Sequence, residues 1–245
     1  MKTLGLIGFG QFGRLAATVL RSHYDVLATD AAPSAAAAAQ EIGVGFGSLA
    51  DAAAREVVVV AVPVVAMREV FASISPHLKP GALVIDVGSV KMLPAQWMSE
   101  TLPAHVDIVA THPLFGPQSA RNGLKGLRLV VCPIRGDRHE KVAAFGRSLG
   151  LTVTVTTPEE HDREMAYVQA LTHLIGRSLV NLGIPDEHLK TPSYQHLLEL
   201  CALIGADTFE LFTAIQTQNP FAAEVVGAFV EQARGLLEQV DARRP

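Results

Sequence analysis

Three short stretches of this chain carry side chains that could do chemistry together. HPLFGP, residues 112–117, places His112 directly after the apolar run VDIVA. A neutral imidazole at that point can take up a proton near neutral pH. Pro113, Gly116 and Pro117 stiffen and shape the loop that would aim it. DVGSVK, residues 86–91, offers Ser89 and Lys91 after another apolar run. Taken singly, each has a plainer reading: His112 as a structural histidine, Ser89 as a helix N-cap and Lys91 as a solvated cation. Further along, Gln169, His173 and Arg177 recur every fourth residue. Each step of four on a helix drifts by about 40°, so the three span roughly 80° of one face. On a segment otherwise rich in Ala, Leu, Val and Ile, that stripe reads either as the wall of a wet cavity or as a solvated face. His161 and Asp162, at the start of the same segment, read as capping or packing groups.

A fourth stretch would hold a cofactor. GFGQFG comprises Gly8, Phe9, Gly10, Gln11, Phe12 and Gly13, and matches G-x-G-x-x-G. The pattern is weak alone but gains force here, because it follows a strand-like run and opens a helix-like one. Gly8 permits a tight turn, Gly10 lets backbone approach a pyrophosphate, and Gly13 lets helix pack on strand. The helix N-terminus then offers unpaired N–H groups and a favourable dipole to phosphate. Asp30 ends the second apolar run, at the spacing expected for a ribose 2′-hydroxyl contact. A carboxylate there repels a 2′-phosphate, and the following AAPS supplies no arginine. NAD is therefore favoured over NADP. Val62 and Pro63, in AVPVVAM, form a loop expected to pass near the adenosine or the nicotinamide ribose.

These groups need elements to position them. TLGLIG, DVLATD, EVVVVAV, ALVIDVG and VDIVAT read as strands, and their continuous apolar character suits parallel strands buried on both faces. QFGRLAATVLRSH and SAAAAAQEIG read as intervening helices. LRLVVCP and LTVTVT extend the same sheet. The β–α alternation predicts an α/β fold with a doubly wound Rossmann domain over residues 1–155. From Pro158 onward the β signal disappears. PEEHDREMAYVQALTHLIGRSLVNLG reads as one long helix, with acids in its first turn and Gly183 near its end. SYQHLLELCAL, DTFELFTAIQTQ and FAAEVVGAFVEQARGLLEQV read as three more, making an all-helical domain over residues 156–245. In an open parallel sheet, ligands lie beyond the carboxyl ends of the strands, so Ser89, Lys91 and His112 should converge near a nicotinamide.

Bulk properties exclude other classes. Apolar residues make up 49% of the 245, and the net charge is −4, so no basic face for nucleic acid is expected. No apolar run is long enough for a membrane span. MKTLGLIGFG is short, Gly-broken and continuous with the glycine motif, which argues against a signal peptide. Cys132 and Cys201 show no metal or redox spacing, which suits a reducing cytoplasm.

DVGSVK, THPLFGPQSARNG, HDREMAYVQALTHLIGR and TPSYQHLLELCALIGADTFELF together resemble the prephenate/arogenate dehydrogenase family, and most of all its short, plant-like arogenate branch. The similarity covers nearly the whole chain. It implies NAD(P)-dependent oxidative decarboxylation in tyrosine biosynthesis, giving tyrosine from arogenate or 4-hydroxyphenylpyruvate from prephenate. It also implies that His112 bonds the ring hydroxyl, that Ser89 contacts this histidine and the nicotinamide carboxamide, and that His173 helps hold the substrate. Longer bacterial members carry a carboxylate-binding arginine in a later helix, where GADTFELFTAIQTQNP has none. Arg177 is the candidate replacement, and Arg121 a weaker one. Asp207 would favour the amine of arogenate over the keto group of prephenate, or else simply N-cap TFELF. The amphipathic helices suggest a homodimer, and with the last helix falling near residue 245 no separate regulatory domain is expected.

Two rival readings remain. A Rossmann reductase of 3-hydroxy acids or imines would rely on a lysine in the helical domain, where this chain offers His173 and Arg177. An NAD-binding regulatory protein could share the fold without catalysis, against which His112, Ser89 and His173 together weigh.

Overall fold

The computed structural model describes residues 1–244; Pro245, the last residue of the expected helical domain, lies outside them. The chain forms two compact units, Met1–His161 and a second from Asp162 onward.

The first unit is built on one eight-stranded sheet. In chain order its elements are β1 (Lys2–Ile7), α1 (Gln11–Leu20), β2 (Tyr24–Thr29), α2 (Ala35–Ile42), β3 (Gly45–Phe46), α3 (Leu49–Ala53) and β4 (Val57–Val60). There follow α4 (Val64–Ile74), β5 (Leu83–Asp86), α5 (Met92–Thr101), β6 (Asp107–Pro113), β7 (Arg128–Arg135), α6 (His139–Ser148) and β8 (Thr152–Val155). The strand order is β3-β2-β1-β4-β5-β6-β7-β8, so the winding direction switches between β1 and β4. All four residues of β4, Val57 to Val60, are buried, as a strand covered on both faces must be.

β1, β2, β4, β5 and β6 are mutually parallel, as the apolar runs predict. The expectation of parallel order does not extend to β7, which pairs antiparallel with β6. The chain crosses from β6 to β7 through residues 114–127 without a helix, and a strand that returns without a crossover must run the other way. β8 then pairs parallel to β7, with α6 as the crossover. The returning β7 also lengthens β6: His112 pairs with Val130 and Pro113 with Leu129, so the histidine lies on the strand rather than after it.

α7 (Pro158–Met165) opens with a capping box. Thr157 Oγ1 accepts from Glu160 N at 3.2 Å, and the Glu160 carboxylate reaches back to Thr157 N at 3.3 Å. The helix runs on through a π-helical stretch, Ala166–Leu171, into α8 (Thr172–Leu182), which ends at Gly183 in the left-handed conformation. The second unit is completed by α9 (Pro192–Gly205), α10 (Phe209–Gln218) and α11 (Ala222–Asp241). α8 lies close against α9 at Gly176, where a Cβ would stand 2.7 Å from Ile204 Cγ1. A small cluster of Ala170, Ile215 and Ala222 forms its core. No helix among the described residues is long and apolar enough to cross a membrane.

Candidate active-site residues

Strand register brings the first set of candidates to one edge. Thr29 pairs with Ile7, Ile7 with Val60, Val60 with Asp86, and Asp86 with Ala110. The chain therefore passes this row at Asp30, Gly8, Ala61, Val87 and Thr111, all at the carboxyl ends of parallel strands. Three strand spacings separate the glycine loop from His112, roughly 14 Å.

The glycine loop is shaped for close approach. Gly8 has φ +99°, and a Cβ there would lie 2.5 Å from Ala61 O. A Cβ on Gly13 would lie 2.2 Å from Gly8 O, so α1 can sit on the loop only without a side chain. Gly10 is different: a Cβ would meet nothing within 4 Å, which leaves open space in front of the loop. Gly10 is also the N-cap of α1, and no side chain caps it. The first-turn N–H groups, those of Gln11, Phe12 and Gly13, have no intrahelical partner by construction. Open space before uncapped N–H groups at a dipole's positive end fits a pyrophosphate. Phe9 contributes no side chain to that surface, because it is buried in the core. Its N–H donates to Asp30 Oδ2 at 2.5 Å, while Asp30 Oδ1 accepts from Ala32 N at 2.7 Å. Asp30 thus ties the loop to the end of β2 and keeps carboxylate lone pairs for further donors. Val62 is half-buried and Pro63 exposed, at the N-terminus of α4.

His112 is 5% exposed. Its Nδ1 lies 2.8 Å from His161 Nε2, and the two rings meet nearly edge to face. Burial holds the His112 imidazole well below the usual histidine range, and the His161 and Lys91 charges push the same way. His112 is therefore uncharged at neutral pH.

Beneath it lies a fully buried ion pair. Lys91 Nζ bonds the Asp86 carboxylate and also Thr111 O, the latter at 2.6 Å. Thr111 Oγ1 donates to Asp86 O at 2.7 Å, and Gly88 N to Asp86 Oδ2 at 2.9 Å. Burial pushes the Asp86 carboxyl upward against the pull of the Lys91 ammonium. Lys91 is thus no solvated cation but a strut between the ends of β5 and β6, on the residue preceding His112. Ser89 does not cap α5, whose N-cap is Lys91. Nor does it hydrogen-bond His112, since its buried Oγ has no hydrogen-bond partner. Arg121 stands exposed on the loop between β6 and β7.

The second unit holds the other set. His173 is buried, and Gln169 and Arg177 are half-buried. Gln169 Oε1, His173 Nδ1 and Arg177 Nε are buried polar atoms without hydrogen-bond partners, so the stripe is not a solvated face. Arg177 Nη2 donates to Asp207 O at 2.7 Å, which ties the turn between α9 and α10 to α8. The Asp207 carboxylate lies 3.9 Å from His173 Nε2. Burial lowers the His173 pKa, Asp207 opposes that shift, and Arg177 adds to it. Asp207 is not the cap of α10; that role belongs to Thr208, whose Oγ1 accepts from Leu211 N at 3.2 Å.

Two groups escaped the sequence reading. Spacing alone gives His161 a capping or packing role, yet Thr157 and Glu160 supply the cap and the imidazole meets His112. Asp86 was not singled out, although a carboxylate ending the apolar run LVID, five residues before a lysine, signals a buried pair.

The comparisons agree with this architecture. The prephenate dehydrogenase nucleotide-binding domain matches residues 15–153, and the prephenate dehydrogenase dimerization domain matches residues 157–243. The chain is 32% identical to arogenate dehydrogenase 1, chloroplastic, of Arabidopsis thaliana, over 92% of its own length and 37% of that protein's. It is 31% identical to a probable arogenate/prephenate dehydrogenase of Methanocaldococcus jannaschii, over 82% of its length and 48% of the relative's. It therefore spans about half the length, or less, of these curated relatives. Prephenate dehydrogenase from Aquifex aeolicus, solved with hydroxyphenyl propionate and NAD+, shares the fold with a TM-score of 0.79. That likeness covers 99% of this chain and 91% of the other at 22% identity. With both domains matched along nearly its whole length, the chain belongs to the prephenate dehydrogenase family.

Proposed function

We propose that the chain is an NAD-dependent arogenate dehydrogenase, converting arogenate to tyrosine by oxidation and loss of CO₂. The observation that carries this reading is His112: an uncharged, buried imidazole on the same sheet edge as an open glycine loop. The residues proposed to hold the dinucleotide are Gly8 to Gly13 at the pyrophosphate, Asp30 at the ribose, Val62 and Pro63 beside the adenosine or the second ribose, and Ser89 at the carboxamide. When bound, NAD supplies the acceptor for the hydride that leaves the carbinol carbon.

His112 takes the proton of the substrate hydroxyl. Its Nδ1 faces His161, so Nε2 is the nitrogen left for that transfer. The resulting dienone loses its ring carboxylate as CO₂; the electron pair of the broken C–C bond enters the ring, which becomes aromatic, and the ring oxygen is reprotonated. The driving force belongs to the substrate, and the protein supplies orientation and a proton acceptor. Gln169, His173 and Arg177 bind the substrate, a role supported by the buried, unpartnered polar atom that each carries on an otherwise apolar helical run. The Asp207 carboxylate selects the substrate ammonium, supported by its place beside His173.

Prephenate is the second reading, supported by the relative from M. jannaschii, whose name carries both activities. Formation of NADH, followed by absorbance with arogenate and then prephenate, decides between them, and a parallel series with NADP tests the cofactor preference. Silence with both substrates alongside tight NAD binding would replace the enzyme by a regulatory protein. The proposal also takes the chain to be a cytoplasmic homodimer. The dimer is supported by the dimerization-domain match and by exposed Leu236, Leu237 and Val240 on α11.

A further inference from the structure

We infer that His161 is a positioning residue for His112: it fixes the tautomer and the ring orientation in which His112 can accept a proton. This rests on the dehydrogenase reading above and deepens it. The contact is direct, with Nδ1 of one ring 2.8 Å from Nε2 of the other. The rings are 5% and 2% exposed, so bulk water does not compete for this contact.

A hydrogen bond between two ring nitrogens needs one donor and one acceptor, so the two histidines cannot both be imidazolium. Two neutral arrangements are possible. If His161 Nε2 donates, His112 carries its own proton on Nε2 and has no lone pair for the substrate. If His112 Nδ1 donates, Nε2 is bare and able to accept. Only this second arrangement also suits the product of the transfer. Once Nε2 is protonated, His112 is a donor at both nitrogens, and His161 Nε2 remains the acceptor its Nδ1–H requires. Proton uptake then proceeds without rearranging the pair. A neutral imidazole here performs the orienting role that a carboxylate plays in a hydrolase triad.

Both rings stand on regular elements. His112 is held in β6 by its pairing with Val130 on β7. His161 lies in the first turn of α7, where its N–H bonds Thr157 O at 3.0 Å. That turn is capped by Thr157 and Glu160, so the cap does not depend on the His161 side chain.

The test compares His161→Leu with His161→Gln, whose amide oxygen can accept in place of Nε2. Leucine is expected to lower kcat roughly 10- to 100-fold with KM for NAD unchanged, and glutamine to restore most of the loss. Nitrogen NMR of His112 in the wild-type protein should show Nδ1 protonated and Nε2 bare. The inference fails if leucine leaves kcat within about twofold, if folded glutamine and leucine variants are equally impaired, or if wild-type His112 is protonated on Nε2. A leucine variant that does not fold leaves the glutamine variant and the NMR tautomer to decide. A wild-type protein silent with both substrates refutes the dehydrogenase reading, while the NMR result still judges the histidine pair.

Discussion

Among the described residues both units bury polar atoms without partners, but the sheet unit sets its own beside a network of engaged neighbours, whereas the helical unit gathers them on one helical run. In the sheet unit, Asp30, Asp86, Lys91, Thr111 and His112 are each engaged by a neighbour within that unit. In the helical unit, Gln169, His173 and Arg177 each leave a buried polar atom without a partner. Apolar surface follows the same division. Most of the exposed large hydrophobic side chains, among them Tyr167, Leu189, Phe209, Leu236 and Leu237, belong to the helical unit. A sheet satisfies its own backbone and holds side chains in register, so it suits chemistry that needs fixed geometry. A helical unit with so small a core keeps apolar surface for other molecules. In the sheet unit Asp86 Oδ1, Ser89 Oγ and His139 Nδ1 are likewise buried without a partner, and that of Ser89 lies on the loop expected to meet the cofactor.

The largest effect should come from His112, the proposed proton acceptor. His112→Asn is expected to lower kcat by roughly 10²- to 10⁴-fold while NAD still binds; steady-state rates with separate cofactor titration check this, and a rate within a few-fold of wild type would show that the sheet edge is not the chemical end. Next is the strut. Lys91→Met leaves the buried Asp86 carboxylate uncompensated, which should cost about 3–5 kcal/mol in a denaturant melt. No loss would mean that the sheet unit does not depend on its internal pairing. Gly13→Ala forces a Cβ against Gly8 O and should cost about 1–3 kcal/mol together with a marked loss of NAD affinity, measurable by calorimetry.

In the helical unit, Asp207→Asn should reduce the arogenate-to-prephenate ratio of kcat/KM about tenfold, the worth of one partly exposed charge-assisted hydrogen bond. An unchanged ratio removes Asp207 from substrate selection. The smallest effect concerns acid. Burial lowers the pKa of both His112 and His173 from the ordinary histidine value of 6.5, so below that pH the unfolded chain binds more protons than the fold. Their contribution to stability is complete above pH 6.5 and declines as pH falls towards the depressed folded values. Urea midpoints across that range should show the slope, and His112→Asn should make it shallower.

Reading the residues alone went furthest where local rules dominate. Buried parallel strands announce themselves as VVVV or LVID, the glycine motif by its place between strand and helix, and the long helix from Pro158 by the acids of its first turn and its Gly183 stop. Periodicity also spaces Gln169, His173 and Arg177 four apart on one helical run, although Gln169 falls in a π-helical stretch that spacing alone does not announce. Local rules could not supply the reversal at β7, since an apolar strand reads the same in either direction and only the absent crossover decides it. They could not pair His112 with His161, which lie 49 residues apart. Nor could they show that Lys91 is buried against Asp86 or that Arg177 holds the turn beside Asp207. Spacing along a chain determines periodicity and caps, whereas partners distant in sequence meet only once the sheet register and helix docking have brought them within a hydrogen bond's length.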